Sequence, residues 1–517
     1  MKSTFLERLL TYYHIDEKEY EELIAPSSLD TFSSGHSFKD IAKAVDIVDN
    51  AIKNNKRIVV YGDYDADGIT GTSIIVKMFQ KLNYQVKYYI PSRYIDGYGI
   101  NMDNASKCVG TFDLVITVDN GIAANEAIQY LKDNNIEVVV IDHHTVQLPL
   151  PNADAIVHPS VSEYGDIPTS AGFCAFMFSK EMLGYYDKYL ATLAAISVIS
   201  DMMPLKEYNR KLVQAVTSNY IDNEFLPISL LAEHKPFNAD LVGKVIAPKI
   251  NSIARMKEDK TINYMVDYFV KDDNKFILTY LDVIINTNNE RKELTRTSLE
   301  TILENLDENA LVSRVNDKEG LIGLVASGIS SKLGKPAIVF CLDKDGNLKG
   351  SARSVEGFNI MDAFKSLEKY LLTYGGHALA GGCSIKVSDF DAFKESFITL
   401  VNNAKIEKKE PESIPFSLTE INEDNFLIYS SFAPFGEGWR KPLLEINGLK
   451  VDSLRYSKTG EHIITSIGQK AKIMGFYINE TMLEDARYID ALGTLEVSYY
   501  KGNVTYEYHI ESFKKVI

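Results

Sequence analysis

The chain is poor in cysteine: four in 517 residues, Cys108, Cys174, Cys341 and Cys383, far apart and without a CxxC pair. That spacing excludes zinc ribbons and disulfide scaffolds and fits a reducing cytoplasm. A charged-then-apolar signal pattern is missing at the N-terminus, and the longest apolar stretch, LATLAAISVI at 190–199, is too short to span a bilayer. Basic residues are outnumbered as well, 55 Lys and Arg against 71 Asp and Glu, for a net charge of −16. So acidic a surface excludes general attraction to nucleic acid; any polyanion must be held by local basic patches or by metal. Pro and Gly are absent from 276–306, which predicts a long helix bridging two domains.

What is there begins with VVYGDYDADGITG at 59–71. In an extended segment the alternate carboxylates of Asp63, Asp65 and Asp67 would crowd one face and repel. A calcium loop would need a bidentate Glu at the twelfth position, which is Ile74, and a preceding helix where KRIVVY reads as a strand. A phosphate-cradling loop would need GK[ST], and its ligand would be repelled by these acids. A simple turn or a divalent-cation site at a strand end remains, and the latter needs further ligands.

Strand-like runs follow at 84–90, 112–118, 136–141 and 153–159, with helical patterns at 72–82 and 123–134 between them. Such alternation predicts an α/β fold with a parallel sheet covered on both faces, and ligands at the carboxyl ends of its strands. Asp119, before Asn120 and Gly121, and then Asp142, His143 and His144 also stand at strand ends. Asp201, after an apolar run, is either a further ligand or a helix cap. Past the long helix, GLIGLVASGISSKLGKPAIVFCLD opens a second strand and helix alternation. IEKKEPESIP at 406–415 reads as a linker, and the last hundred or so residues as a small β-barrel or sandwich.

GDYDADG, VDNG, DHH and YGGHALAGG (374–382) together resemble the DHH phosphoesterase superfamily. With PSRYIDGYG, IAPKINSIARM, GSARSVEGFN and PFGEG, the set resembles its RecJ-type branch, single-strand-specific DNA exonucleases. The resemblance implies an N-terminal extension (1–40), a DHH domain (41–270), a connecting helix (271–308), a DHH-associated domain with a Gly-Gly-His motif (309–405), a linker (406–415) and an oligonucleotide-binding-fold domain (416–517). It implies that Asp63, Asp65, Asp67, Asp119, His143 and Asp201 hold two divalent cations, with manganese preferred and magnesium the alternative. Mixed carboxylate and imidazole ligands suit manganese better than calcium. Asp119 would be shared, and His144 would contact the scissile phosphate or serve structurally beside His143.

Arg93, Arg255, Ser351, Arg353 and Ser354 would bind the nucleic acid backbone or its 5′ end. Gly375 and Gly376 would admit a phosphate to the backbone, with His377 donating a hydrogen bond. Trp439, Arg440, Lys441, Arg455 and Lys458 are candidates for a single-strand path over the terminal domain. The implied function is a 5′ to 3′ exonuclease releasing mononucleotides in DNA repair and recombination. It would be a cytoplasmic monomer without membrane attachment, served by a single-strand-binding protein or a helicase. Enzymes of the superfamily acting on short RNA, nucleotide phosphates, cyclic dinucleotides or pyrophosphate are usually shorter and lack the terminal domain. A non-catalytic replication scaffold would have lost the ligands. Four departures from the family bear on strand binding: no Trp-His precedes GLVAS, Gly328 stands where an arginine is usual, and Ala254 and GEGWRKP replace a glycine and a Gly-Asn-Pro.

Overall fold

The computed structural model describes residues 4–162, 164–304, 311–406, 410–500 and 503–516. Its first sheet is wholly parallel: β1 (Ile58–Tyr61), β2 (Lys87–Tyr89), β3 (Leu114–Val118), β4 (Glu137–Ile141) and β5 (Ala155–Val157), in the order β2-β1-β3-β4-β5. Every residue of β1 and β3 is buried, as a parallel sheet covered on both faces requires. Chain order reverses between β1 and β3, which opens a crevice at their carboxyl ends.

The long helix spans Asn274–Leu303, started by the Asp273 side chain accepting from the backbone N–H groups of Lys275 and Phe276. The expected end of this helix, at 305–308, and residues 407–409 of the expected linker lie outside the described residues. Past the helix a second sheet runs β6-β7-β8-β10-β9, built from β6 (Val312–Arg314), β7 (Ala337–Leu342), β8 (Leu348–Arg353), β9 (Leu371–His377) and β10 (Ala380–Ile385). Only its β6–β7 pair is parallel. GLIGLVAS, expected as a strand, is instead the start of a helix, Glu319–Leu333. Leu321, Ile322, Val325, Ala326 and Ile329 are buried at helical spacing, and Gly334 ends the helix in the left-handed conformation. A Cβ on Gly328 would lie 2.8 Å from the Leu299 side chain of the long helix. The place of the family's arginine is thus filled by helix packing.

The terminal domain is a six-stranded sheet ordered β11-β12-β15-β16-β14-β13: β11 (Ser413–Pro415), β12 (Leu443–Lys450), β13 (Ile463–Ile467), β14 (Ala471–Gly475), β15 (Tyr488–Tyr500) and β16 (Asn503–Val516). The N-terminal stretch is part of this domain rather than an extension before the first. Phe5, Leu9 and Leu10 of the helix Phe5–Tyr13 are buried in one core with Phe416, Tyr429 and Leu444, the Phe5 ring lying 5.1 Å from that of Phe416. By contact density the chain forms two compact units, one of residues 29–203 and 207–408, the other of the two chain ends with Pro204–Lys206. Among the described residues no helix is long and apolar enough to cross a membrane.

Phe5→Ala should cost the second unit about 3 kcal/mol, the usual penalty for emptying a buried aromatic site. Hydrogen exchange would show β15 and β16 losing protection while β1, β3 and β4 keep theirs; equal loss in both units would refute this packing.

Candidate metal centre

Asp63 stands two residues past the buried end of β1, Asp65 is the N-cap of the helix Ala66–Lys81, and Asp67 lies in that helix's first turn. The three acids therefore occupy a loop, a helix cap and a helix start, not the extended run that their alternation suggests. Asp65 accepts from the N–H groups of Asp67 and Gly68, both at 3.0 Å, satisfying two donors that a helix start leaves open. Gly68 is required by the tightness of this turn, since a Cβ there would lie 2.5 Å from the Asp63 carbonyl oxygen. Asp67 is 1% exposed. Its carboxylate accepts from Ala171 N (2.9 Å) and Gly172 N (2.8 Å) at the start of the helix Ala171–Leu183, and from Ser197 Oγ (2.5 Å).

Asp119 follows β3 with φ 63°, a left-handed conformation uncommon outside glycine and characteristic of strained functional positions. From the end of β4, His143 Nε2 approaches Asp119 Oδ1 (3.3 Å), Asp201 Oδ2 (3.4 Å) and Asp67 Oδ2 (3.5 Å). Asp201 is the C-cap of the helix Lys188–Ser200, and its carboxylate also belongs to this cluster. The ligand atoms fall into two groups, each within 4.8 Å: Asp63, Asp65 and Asp119 in one, Asp67, His143 and Asp201 in the other. A third group, Asp119, His143 and His144, connects them.

Asp142 organises the site from beneath. Its Oδ1 accepts from His143 N (2.7 Å), His144 N (3.2 Å) and His144 Nδ1 (2.8 Å), and its Oδ2 from Ile122 N (2.9 Å). Burial works to raise Asp142, but the His144 hydrogen bond and charge outweigh it and hold the carboxyl below its ordinary range. His144, which burial would lower, is pushed up to about 9 by the same bond and by Asp142, Asp67 and Asp201. The Tyr98 hydroxyl stands 3.1 Å from His144 Nε2 and 3.1 Å from the Asp119 carbonyl oxygen.

The other acids are destabilised as anions. Asp63 and Asp119 are driven well above the usual carboxylate range by burial and then by neighbouring carboxylates, and Asp201 rises to about 8 for the same reasons. Oδ1 of Asp63 and Oδ1 of Asp119 are buried with no hydrogen-bond partner. Crowded carboxylates with orphaned oxygens beside an imidazole fit divalent cations, which would bind the oxygens and cancel the repulsion.

Arg93 and Arg255 lie next to this centre. The Arg93 guanidinium stacks 4.4 Å from the centroid of the Tyr64 ring, and Arg255 Nη1 donates to the Gly320 carbonyl at 3.0 Å. Arg353 donates to Ser351 Oγ at 3.1 Å. Ser354 differs from expectation, its hydroxyl being spent on the Phe358 carbonyl (2.7 Å) in a turn. Gly375, Gly376 and His377 lie on the exposed edge strand β9, and among the described residues no hydrogen bond or ion pair joins them to the acidic cluster. Gly376, at φ 136°, could not be another residue: a Cβ would lie 2.4 Å from the Ala380 carbonyl oxygen.

In the terminal domain Trp439 is no open stacking platform. Its ring stacks on Tyr13 at 4.2 Å and its Nε1 donates to the Phe432 carbonyl. Lys441 is paired with Glu496, whereas Arg440, Arg455 and Lys458 are exposed. Residues that the sequence reading left without a role include Ser197, Tyr98 and Asn251, whose Oδ1 accepts from Ala66 N (2.8 Å) and ties the helix Ala247–Met256 to the acidic turn. Tyr98 and Asn251 stand inside the quoted PSRYIDGYG and IAPKINSIARM motifs; Ser197 had no such signal.

The chain matches the DHH family N-terminal domain over 57–222, the DHHA1 domain over 307–403 and the RecJ OB domain over 414–512. It is 28% identical over 467 residues to the single-stranded-DNA-specific exonuclease RecJ of Bacillus subtilis, a match covering 86% of this chain; the chain spans 59% of that relative's length. Crystal structures of RecJ from Thermus thermophilus with Mn2+ and with Mg2+ superpose at TM-scores of 0.84 and 0.78, the first at 26% identity over 99% of this chain and 76% of the other. A crystal structure of exonuclease RecJ bound to manganese is 30% identical, covering 71% of this chain and 95% of that one, at a TM-score of 0.62. With the acidic crevice at the β1–β3 switch, the DHHA1 domain and the RecJ-type terminal domain in one polypeptide, the chain belongs to the RecJ family of single-stranded-DNA-specific exonucleases.

Proposed function

We propose that the chain hydrolyses phosphodiester bonds of single-stranded DNA from the 5′ end, releasing mononucleotides with the help of two divalent cations, manganese preferred over magnesium. The observation that carries this reading is the pair of candidate ligand groups at one crevice, linked by a third group that takes Asp119 from one and His143 from the other, with the guanidinium of Arg93 acting on Asp63 beside them. Asp63, Asp65 and Asp119 would hold one cation and Asp67, His143 and Asp201 the other. Bound there, divalent cations supply a hydroxide nucleophile at neutral pH and stabilise charge on the phosphoryl oxygens.

The protein's own part is positional. Asp142 fixes the ring of His144, leaving Nε2 to meet a phosphate oxygen of the scissile bond. Arg93, Arg255 and Arg353 with Ser351 would grip a terminal phosphate, which carries more charge than an internal one; that is what makes cleavage start at an end and sets its 5′ to 3′ direction. The exposed Arg440, Arg455 and Lys458 would guide the rest of the strand over the terminal domain. The enzyme would act as a cytoplasmic monomer in DNA repair and recombination, on strands opened by a helicase or coated by a single-strand-binding protein.

Asp119→Ala and His143→Ala should each slow manganese-dependent hydrolysis by on the order of 10³-fold or more, because nucleophile generation and charge stabilisation fail together. Asp142→Asn should cost about 10- to 100-fold, as loss of an orienting partner does. Wild-type rates at saturating manganese in the first two variants would sink the ligand assignment. A strand labelled at its 5′ end should release label first, as mononucleotide; first release of a 3′ label would reverse the polarity.

A further inference from the structure

His144 stands where the chain leaves the core: Ile141 and Asp142 before it are buried, and Thr145, Gln147 and Leu148 after it are exposed. At such an exit a side chain swings unless the backbone on both sides of its Cα is tied down. Asp142 ties the amino side, accepting from the backbone N–H and the ring Nδ1 of His144. The carboxyl side is tied by a residue from another strand. His158, directly after β5, brings its Nε2 to 2.8 Å from the His144 carbonyl oxygen.

His158 is 0% exposed, and a polar ring so placed needs a partner for each nitrogen. Its Nδ1 lies 3.1 Å from the backbone nitrogen of Ser160. A backbone N–H can only donate and a carbonyl can only accept, so Nδ1 is the bare nitrogen and Nε2 carries the hydrogen. One tautomer of the neutral ring thus makes both bonds, and the other would break both. Burial pulls the His158 pKa down and keeps the ring neutral. The backbone around the ring is fixed as well: Asp142 N donates to the Val157 carbonyl (3.1 Å), and Ser162 N to the carbonyl of His158 itself (3.0 Å). The imidazole therefore joins the turn after β4 to the short helix Pro159–Ser162 after β5.

We infer that His158 is a positioning residue for the reaction: its Nε2–H bond to the His144 carbonyl holds His144 at the angle from which that residue's own Nε2, 3.1 Å from the Tyr98 hydroxyl, meets the scissile phosphate. This rests on the exonuclease reading for the task given to His144. The competing role for His158 is to cap the helix Pro159–Ser162 through Nδ1 and nothing more. Because the two bonds use different nitrogens, they can be removed one at a time. A glutamine carries its amide nitrogen out to where Nε2 stands and keeps the bond to His144. An asparagine puts its amide oxygen near the place of Nδ1 and keeps the bond to Ser160.

Single-turnover hydrolysis of single-stranded DNA at saturating manganese separates the two roles. His158→Asn should slow the rate about 10- to 100-fold, the usual loss when an orienting partner goes, with manganese binding unchanged, whereas His158→Gln should stay within about 3-fold of wild type. In a His144→Ala background His158→Asn should cost no more than about 2-fold, because residues that act as a unit are not additive. A second readout needs neither turnover nor metal: in EDTA, proton–nitrogen spectra of protein labelled with nitrogen-15 histidine should place the His158 hydrogen on Nε2, and the His144 signals should move in His158→Asn but not in His158→Gln. Loss in His158→Gln with full activity in His158→Asn, or equal loss in both, would overturn the assignment and leave His158 a helix cap. So would an undiminished further loss in the His144→Ala background, or a wild-type spectrum with the hydrogen on Nδ1. Wild type that degrades single-stranded DNA no faster than His158→Asn would refute the tether and leave the exonuclease reading standing. Wild type that shows the Nε2 hydrogen and the His144 response but degrades no strand would do the reverse.

Discussion

Mutual repulsion of carboxylates in a place too dry to screen them is the constraint on which the rest of the structure depends. Two like charges about 4 Å apart repel by about 4 kcal/mol at an effective dielectric near 20, against about 1 kcal/mol net for an ordinary hydrogen bond. The donors from Ala171, Gly172 and Ser197 to Asp67, and those from Asp67 and Gly68 to Asp65, hold two of the acids in place but cannot offset the repulsion. Asp63 and Asp119 have buried oxygens with no donor at all. Only added positive charge balances such a cluster, and the parallel sheet supplies the crevice where strands β1 and β3 diverge to receive it.

Beside it stand guanidinium groups with neutral partners, Arg255 donating to the Gly320 carbonyl and Arg353 to Ser351 Oγ. The two clusters act on each other: Arg93 lowers Asp63, and Asp65 raises Arg255. Each is incomplete without a ligand of opposite charge, and a nucleic acid terminus with its counter-cations has both kinds of charge to offer. On the proposed function, a molecule of net charge −16 would thereby bind a polyanion through local chemistry rather than through its overall field.

The acidic crevice was legible because its residues sit in short motifs at strand ends, where local sequence dictates geometry: GDYDADG, just after β1, is a loop, a cap and a helix turn within seven residues. Gly68 shows how tight that link is, since only a missing Cβ lets the turn close on Asp63. What depended on distant partners was not legible. GLVAS has the composition of a strand, and an apolar run that short has no period of its own to settle the matter; contact with the long helix does so. The N-terminal helix reads as an appendage until Phe5 is seen against Phe416, at the other end of the chain. Trp439 has the exposed-looking neighbours of a stacking platform, and Tyr13 covers it.

The count of manganese ions bound per chain tests the central claim most directly, because the proposal gives each of two candidate ligand groups an ion of its own. Equilibrium dialysis of the metal-stripped protein against manganese should give two ions for wild type and one for Asp65→Ala. A single ion in wild type, or two ions undiminished in Asp65→Ala, would contradict the account.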